Sequence, residues 1–172
     1  MTRKEKASAH LTAALERDAA DILRYLERRL GTDDAADALS EVMMAAWRRA
    51  EAVPANAEQA RMWLFGVARN VVANSERGER RRSNLAERLR GTLAAAQTGG
   101  RPADAGIEVR DAIARLSPDQ AELVRLIHWE GFTVAAAGAI LGIPASTART
   151  RYQRARADLK EALSTGHGSR QN

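Results

Sequence analysis

The chain has no cysteine among its 172 residues, which removes disulfides, thiolate nucleophiles and Cys-ligated zinc or iron–sulfur centres together. Histidine is nearly as scarce. His10, His128 and His167 sit in separate segments without the paired spacing that metal sites use, so they read as exposed or partly packed imidazoles, and neither a metal nor another cofactor is expected. No apolar run approaches the roughly 18 residues of a membrane span. The opening Met1-Thr-Arg-Lys-Glu-Lys carries charge with no apolar stretch behind it. A cytoplasmic protein without membrane insertion is the expectation. Nor does any segment alternate apolar and polar residues as a half-buried strand does, so the fold class is all-α. An enzyme is not expected, since no grouping of nucleophile, base and oxyanion donor can be found.

Hydrophobic residues make up 45% of the chain and charged residues 28%, enough apolar surface for most of it to fold; only residues 85–106 and the two ends are too polar, small or Gly-rich to pack. This length holds one ordinary domain or two small ones. The net charge of +5 and a pI near 10.4 point to an anionic partner such as nucleic acid. Distribution sharpens the point. Acid gathers at Asp33, Asp34, Asp37 and Glu41, while base gathers at residues 77–82 and 149–156, so one partner should be basic and another anionic.

Leu11, Leu15, Ile22, Leu26 and Leu30 mark one stripe of a helix that Gly31 ends. Thr32, Asp33 and Asp34 offer caps for a second helix, whose apolar face is Leu39, Val42, Met43, Ala46 and Trp47 and whose other face carries the acids. Pro54 breaks the pattern into a loop at residues 53–56. A third helix bears Trp63, Leu64, Val67, Ala68, Val71 and Val72, and its apolar stripe stops at the charged rim of residues 75–82. Residues 85–96 have the composition of a further short helix, and the Gly- and Pro-containing residues 97–106 that of a linker. The domain expectation is therefore a helical bundle over residues 8–83, a flexible linker over 84–107 and a second helical domain over 108–164.

In the second domain, Val109, Ile113 and Leu116 form one short helix. Ser117-Pro118 opens another, with Leu123, Leu126 and Ile127 inside and Gly131 closing it. Residues 133–141 make a third short helix ending at Gly142, and from Pro144 onward Ala148, Tyr152, Ala155, Leu159 and Ala162 give the inner face of a fourth. A short helix, a tight turn and a longer helix with a basic solvent face is the layout of a helix-turn-helix. With those residues inward, Thr147, Thr150, Arg151 and Arg154 face outward near the helix start, where side chains meet base edges in a major groove. The same pattern also suits a plain helix hairpin with a solvated basic face. The basic cluster Arg77, Arg80, Arg81 and Arg82 is weaker by itself, because such runs commonly just end a helix in water. Trp63 reads as core ahead of a base-stacking platform, and Asn70 and Asn74, one turn apart, suit bases or water equally.

Two blocks carry a resemblance. Asp34-Ala-Ala-Asp-Ala-Leu-Ser-Glu-Val-Met-Met-Ala-Ala-Trp47, Trp63-Leu-Phe-Gly-Val-Ala-Arg-Asn70 and Arg80-Arg-Arg82 resemble region two of the extracytoplasmic-function (ECF) sigma factors. Leu116-Ser-Pro-Asp-Gln-Ala-Glu-Leu123, Glu130-Gly131, Ile140-Leu-Gly-Ile-Pro144 and Arg151-Tyr-Gln-Arg-Ala-Arg-Ala-Asp-Leu159 resemble its region four. Together they cover most of residues 10–163, and their pairing across a linker is far more specific than either block alone.

The resemblance implies that Asp37, Ser40, Glu41 and Met44 dock on RNA polymerase core, and that residues 53–61, including Asn56 and Arg61, act with Asn70 and Asn74 to open the minus-ten element of promoter DNA. It further implies that Arg77, Arg80, Arg81 and Arg82 track phosphates. Ser146, Thr147, Arg149, Thr150, Arg151 and Arg154 would read the minus-thirty-five duplex. Family members are often held by an anti-sigma factor, and two small linked domains offer such a partner something to clamp. Three departures stand out. Ser40 replaces a usual Gln; Ala135, Ala136, Ala137 and Gly138 replace a charged-and-apolar run; and Ala60 stands where an aromatic is common. Gly138 is expected to weaken its helix by roughly 1 kcal/mol relative to Ala. Two other readings keep parts of this picture: a free-standing helix-turn-helix regulator that binds duplex DNA unaided, and a helical adaptor or anti-sigma-like protein whose basic helix is incidental.

Overall fold

A computed structural model describes residues 2–90 and 107–168, and their side chains except at residues 3, 79–80, 82–90, 107–108 and 165–168. Among the described residues there is no strand; seven α-helices and one short 3-10 turn make up the fold. The chain divides into two compact units, Met1–Ala96 and Gln97–Asn172. Of the linker expected over residues 84–107, residues 84–90 continue the helix Ala57–Arg90 and residue 107 opens the next helix, while residues 91–106 lie outside the described residues.

In the first unit, α1 (Arg3–Leu30) opens with a reciprocal capping box: Thr2 Oγ1 accepts from Glu5 N at 3.2 Å while Thr2 N donates to Glu5 Oε2 at 2.7 Å. Gly31, at φ 86°, ends α1 and starts α2 (Thr32–Trp47) in one residue, a sharp reversal for which a side chain would be strained. A 3-10 turn (Ala50–Ala52) then leads to α3 (Ala57–Arg90). The three long helices enclose Leu11, Leu15, Ile22, Tyr25 and Leu26 of α1, Val42 and Ala46 of α2, and Leu64, Phe65, Ala68 and Val71 of α3. The Tyr25 and Phe65 rings meet edge to face at 5.4 Å. Tyr25 belongs to the expected stripe although apolar spacing skips it. Trp47 leaves the core face predicted for it and is 45% exposed.

α3 is one helix through Arg90, not a helix stopping near Arg82 with a second beginning at Leu85. Residues 83–90 contain neither Pro nor Gly and are mostly Leu, Ala, Glu and Arg, so nothing stops propagation once the packed half has nucleated it.

The second unit holds α4 (Ile107–Ala114), α5 (Pro118–His128), α6 (Val134–Leu141) and α7 (Ala145–Gly168). Ser117 and Gln120 form a capping box on α5 with Pro118 in its first turn, and Thr133 Oγ1 accepts from Ala136 N at 3.1 Å to cap α6. Gly142, left-handed at φ 70°, ends α6, and Ile143 N donates to Gly138 O at 2.9 Å. Ile113, Ala121, Val124 and Ala155 form a buried cluster over which Leu116, Tyr152 and Leu159 close. Val109, predicted inside, is exposed.

Gly138 shows its purpose here. A Cβ placed on it would lie 2.8 Å from Ala148 Cβ and 3.3 Å from Ile143 O, so α6 and α7 approach more closely than any side chain permits. The residue that weakens α6 in isolation is the one that allows the tight turn to pack.

Candidate nucleic-acid interface

Since Ala148, Tyr152, Ala155 and Leu159 point inward, the opposite face of α7 is fixed by the helical period. Ser146, Arg149, Thr150 and Arg154 are exposed there as expected. Thr147 is half-buried on the flank. Gln153, which the sequence reading misses, is exposed three residues beyond Thr150 and four beyond Arg149. A search for basic residues overlooks an amide, but Gln can pair with adenine in a major groove. Thr150 Oγ1 donates to Ser146 O at 3.2 Å, which uses its hydroxyl proton within the helix and leaves the oxygen able to accept.

Arg151 departs from the expected outward set. Its Nη1 donates to Asp119 Oδ2 at 2.8 Å, drawing the guanidinium back toward α5. Two further polar contacts join the same helices. Gln120 Nε2 donates to Asp158 Oδ2 at 3.3 Å, and His128 Nε2 lies 2.9 Å from the Tyr152 hydroxyl. Polar atoms thus hold the angle of α7 along its length, and Arg151 is one of the ties.

On α3, Asn70, Asn74, Arg77 and Arg81 follow at spacings of four, three and four, and all are exposed, so they form one continuous stripe. Arg77 Nη2 donates to Asn74 Oδ1, joining two members of it. The side chains of Arg80 and Arg82 lie outside the described residues. Trp63, seven residues before Asn70 on this face, is half-buried with the Arg49 guanidinium 5.9 Å from its ring.

Two minus-ten candidates are engaged within the protein. Arg61 reaches α1, with Nη2 at 3.2 Å from Asp21 Oδ2, Nε at 3.8 Å from Asp18 Oδ1, and its guanidinium 4.9 Å over the Phe65 ring. Asp18 is 3% exposed, so Arg61 compensates a buried carboxylate, a demand that apolar spacing does not register. Asn56 caps α3, its Oδ1 accepting from Gln59 N at 3.0 Å, which leaves the amide group as the part able to meet a base. Ala60 is fully buried against the bundle and offers no stacking surface.

The acidic residues lie on α2, a different helix from those that carry the basic stripes. Asp33, Asp34, Asp37 and Glu41 are all exposed. Ser40 Oγ donates to Ala36 O at 3.1 Å and so turns back on its own helix. Next to these lie two large apolar side chains, Met44 and Trp47, 53% and 45% exposed and three residues apart. The hydroxyl is too short to extend a contact as Gln would, but Trp47 adds apolar area that the sequence pattern assigns to the core. Among the described residues no helix is long and apolar enough to cross a membrane.

The Sigma-70 region 2 family matches residues 14–82 and the Sigma-70 region 4 family residues 107–159. The chain is similar to a probable RNA polymerase sigma-C factor of Mycobacterium bovis, 31% identical over 85% of this chain and 79% of that protein. It is also similar to the ECF RNA polymerase sigma factor SigL of Mycobacterium tuberculosis, 28% identical over 84% and 83%. Among solved structures it resembles the sigma factor RpoE of Bartonella quintana, seen with the anti-sigma factor NepR, at TM-score 0.62 and 25% identity over 87% and 96% of the two chains. CnrH, in complex with the cytosolic domain of CnrY, shares the fold at TM-score 0.62 and 18% identity over 95% and 96%.

Proposed function

From the premise that the chain belongs to the ECF sigma factors of the sigma-70 family, which bind RNA polymerase core and direct promoter-specific transcription initiation, we propose how its residues divide that work. Sigma factors are regulatory proteins and not enzymes. The exposed face of α2, with Asp37, Glu41, Met44 and Trp47, docks on the core; Ser40 lies within the footprint and contributes little. The stripe Asn70, Asn74, Arg77 and Arg81, continued by Arg80 and Arg82, follows the opened strand at the minus-ten element, with residues 53–56 as the loop that receives a base. Ser146, Arg149, Thr150, Gln153 and Arg154 meet the minus-thirty-five duplex, with Thr147 at the edge. α1–α3 and α4–α7 are the two working domains, joined by the intervening chain, and the protein acts in the cytoplasm where its template is.

The observation that carries this reading is separation of charge on exposed faces: carboxylates on α2, cations and amides on α3 and on α7. A single surface could not serve a basic polypeptide and a polyanion together, because each would repel the other's partner. Run-off transcription with core polymerase freed of other sigma factors tests it, using a broad promoter library. Transcripts that depend on the added chain are expected. Silence across the library, or tight specific duplex binding by the chain without core, would favour the free-standing regulator instead.

An anti-sigma factor is a further partner. RpoE of Bartonella quintana is seen in complex with the anti-sigma factor NepR, which supports a partner of that kind. Here Met44 and Trp47 provide exposed apolar area that such a protein would cover in competition with the polymerase.

A further inference from the structure

The backbone of residues 53–57 is anchored by side chains remote in sequence. His10 on α1 places Nε2 at 2.6 Å from Pro54 O; a carbonyl only accepts, so the imidazole donates. Arg17, also on α1, donates from Nη2 to Ala57 O at 3.2 Å. His10 and Arg17 are seven residues apart and hence on one face of the helix, two turns from each other. One face of α1 thus holds both flanks of the loop.

That face is itself fixed. Leu11, Ala14 and Leu15 around His10 are buried, and the nearly buried Asp18 accepts from Arg17 Nη2 at 2.7 Å. Between the anchors, burial changes along the chain: Val53 and Pro54 are half-buried, whereas Ala55 and Asn56 are exposed. The Asn56 cap on α3 fixes the far side of this tip. Two exposed residues between fixed ends form a preorganised surface, which loses less conformational entropy on binding than a loop left to itself.

We propose that His10 is a positioning residue for promoter-strand recognition: its hydrogen bond to the Pro54 carbonyl sets the tip at Ala55 and Asn56 in the shape that accepts an unpaired base. The inference rests on the reading that residues 53–56 receive the opened strand. It assigns part of the base preference to a first-helix side chain that touches no DNA. His10 is half-buried near the exposed start of α1, so its bond governs the loop more than the stability of the bundle.

The test uses holoenzyme assembled from polymerase core and the full chain, and as probe a short single-stranded DNA pool with randomised bases, selected on holoenzyme and sequenced. Three variants are compared: H10F keeps a ring without the donor, H10Q restores an N–H of similar reach, and Ala55→Gly with Asn56→Ser alters the tip while keeping a capping oxygen. The tip variant is expected to flatten base preference at one position. H10F should reduce preference at that same position by about fivefold to tenfold, as the loss of one hydrogen bond does, while leaving the other positions intact. H10Q should recover most of it. Unchanged preference in H10F beside a flattened position in the tip variant would overturn the role of His10 alone. A uniform loss at all positions in H10F, unrelieved in H10Q, would overturn it in favour of a folding defect. If the tip variant changes nothing, the loop reading fails and this inference with it.

Discussion

Arg151 Nη1 and Asp119 Oδ2 lie 2.8 Å apart, which turns the Arg151 guanidinium toward α5 while Arg149 and Arg154, on the same helix, stay exposed. The Arg151 side chain is 38% exposed and that of Asp119 62%, so the pair is a surface tie worth about 0.5 kcal/mol and not a buried lock. Its effect is directional: it holds one guanidinium toward α5 while Arg149 and Arg154 remain outward.

Separate outcomes are expected for the three arginines. Replacing Arg149 or Arg154 with Ala should weaken minus-thirty-five binding and lower the slope of log affinity against log salt by about 0.9 for each phosphate no longer neutralised. Arg151→Ala should leave that slope unchanged and instead lower the chain's melting temperature slightly, as should Asp119→Ala. Salt-titrated duplex binding by holoenzyme and thermal unfolding distinguish them. A salt slope that falls in Arg151→Ala as it does in Arg149→Ala would return Arg151 to the DNA face.

Gly138→Ala raises helix propensity, which alone would stabilise α6 by about 1 kcal/mol. The added Cβ meets Ala148 Cβ at 2.8 Å and the backbone oxygen of Ile143 at 3.3 Å, and a backbone atom in a tight turn has little room to retreat. Overpacking should win, giving a net loss of about 1–3 kcal/mol in denaturant unfolding. Adding Ala148→Gly should restore part of it by removing the closest contact. A net gain from Gly138→Ala alone would mean that α6 and α7 sit further apart.

Much of the fold is legible in the sequence because it depends on period and punctuation. The stripe Leu11, Leu15, Ile22 and Leu26, the Ser117-Pro118 start of α5 and the Gly142 stop of α6 each act within a few residues, so they can be read along the chain. The paired blocks likewise identify the family. What escapes depends on contacts across elements. Asp18 claims Arg61 from 43 residues away, Asp119 claims Arg151 from 32, and neither spacing carries a signal. Trp47 reads as inward because an apolar residue in phase with a core stripe normally is buried, but it is the last residue of α2 and stands 45% exposed.

Arg61→Ala is expected to cost stability first. It removes a partner from the nearly buried Asp18, and losing one side of a buried pair costs about 3–5 kcal/mol. The Arg17 contact at 2.7 Å remains, so the loss should fall at or below the low end of that range. Changing Asp18 to Asn as well should recover part of it, because the carboxylate no longer needs compensation. Denaturant unfolding of the single and double variants measures this. An unaltered midpoint in Arg61→Ala would show that its ion pairs contribute nothing to stability.

The α2 face gives the sharpest separation between docking and folding. Met44 and Trp47 are 53% and 45% exposed, so truncating either to Ala removes little from the core of the bundle, and unfolding should be nearly unaffected. If the polymerase covers them, each truncation should weaken core affinity by about 1–2 kcal/mol, because an aromatic or long apolar side chain at the centre of an interface carries a large share of its energy. Charge at the rim behaves differently. Neutralising Asp37 and Glu41 should act mainly on the association rate and should fade at high salt, whereas the Trp47→Ala defect should persist there. Association and dissociation rates against core at two ionic strengths separate the two contributions. A Trp47→Ala chain that binds core normally at both would restrict the docking surface to its carboxylates.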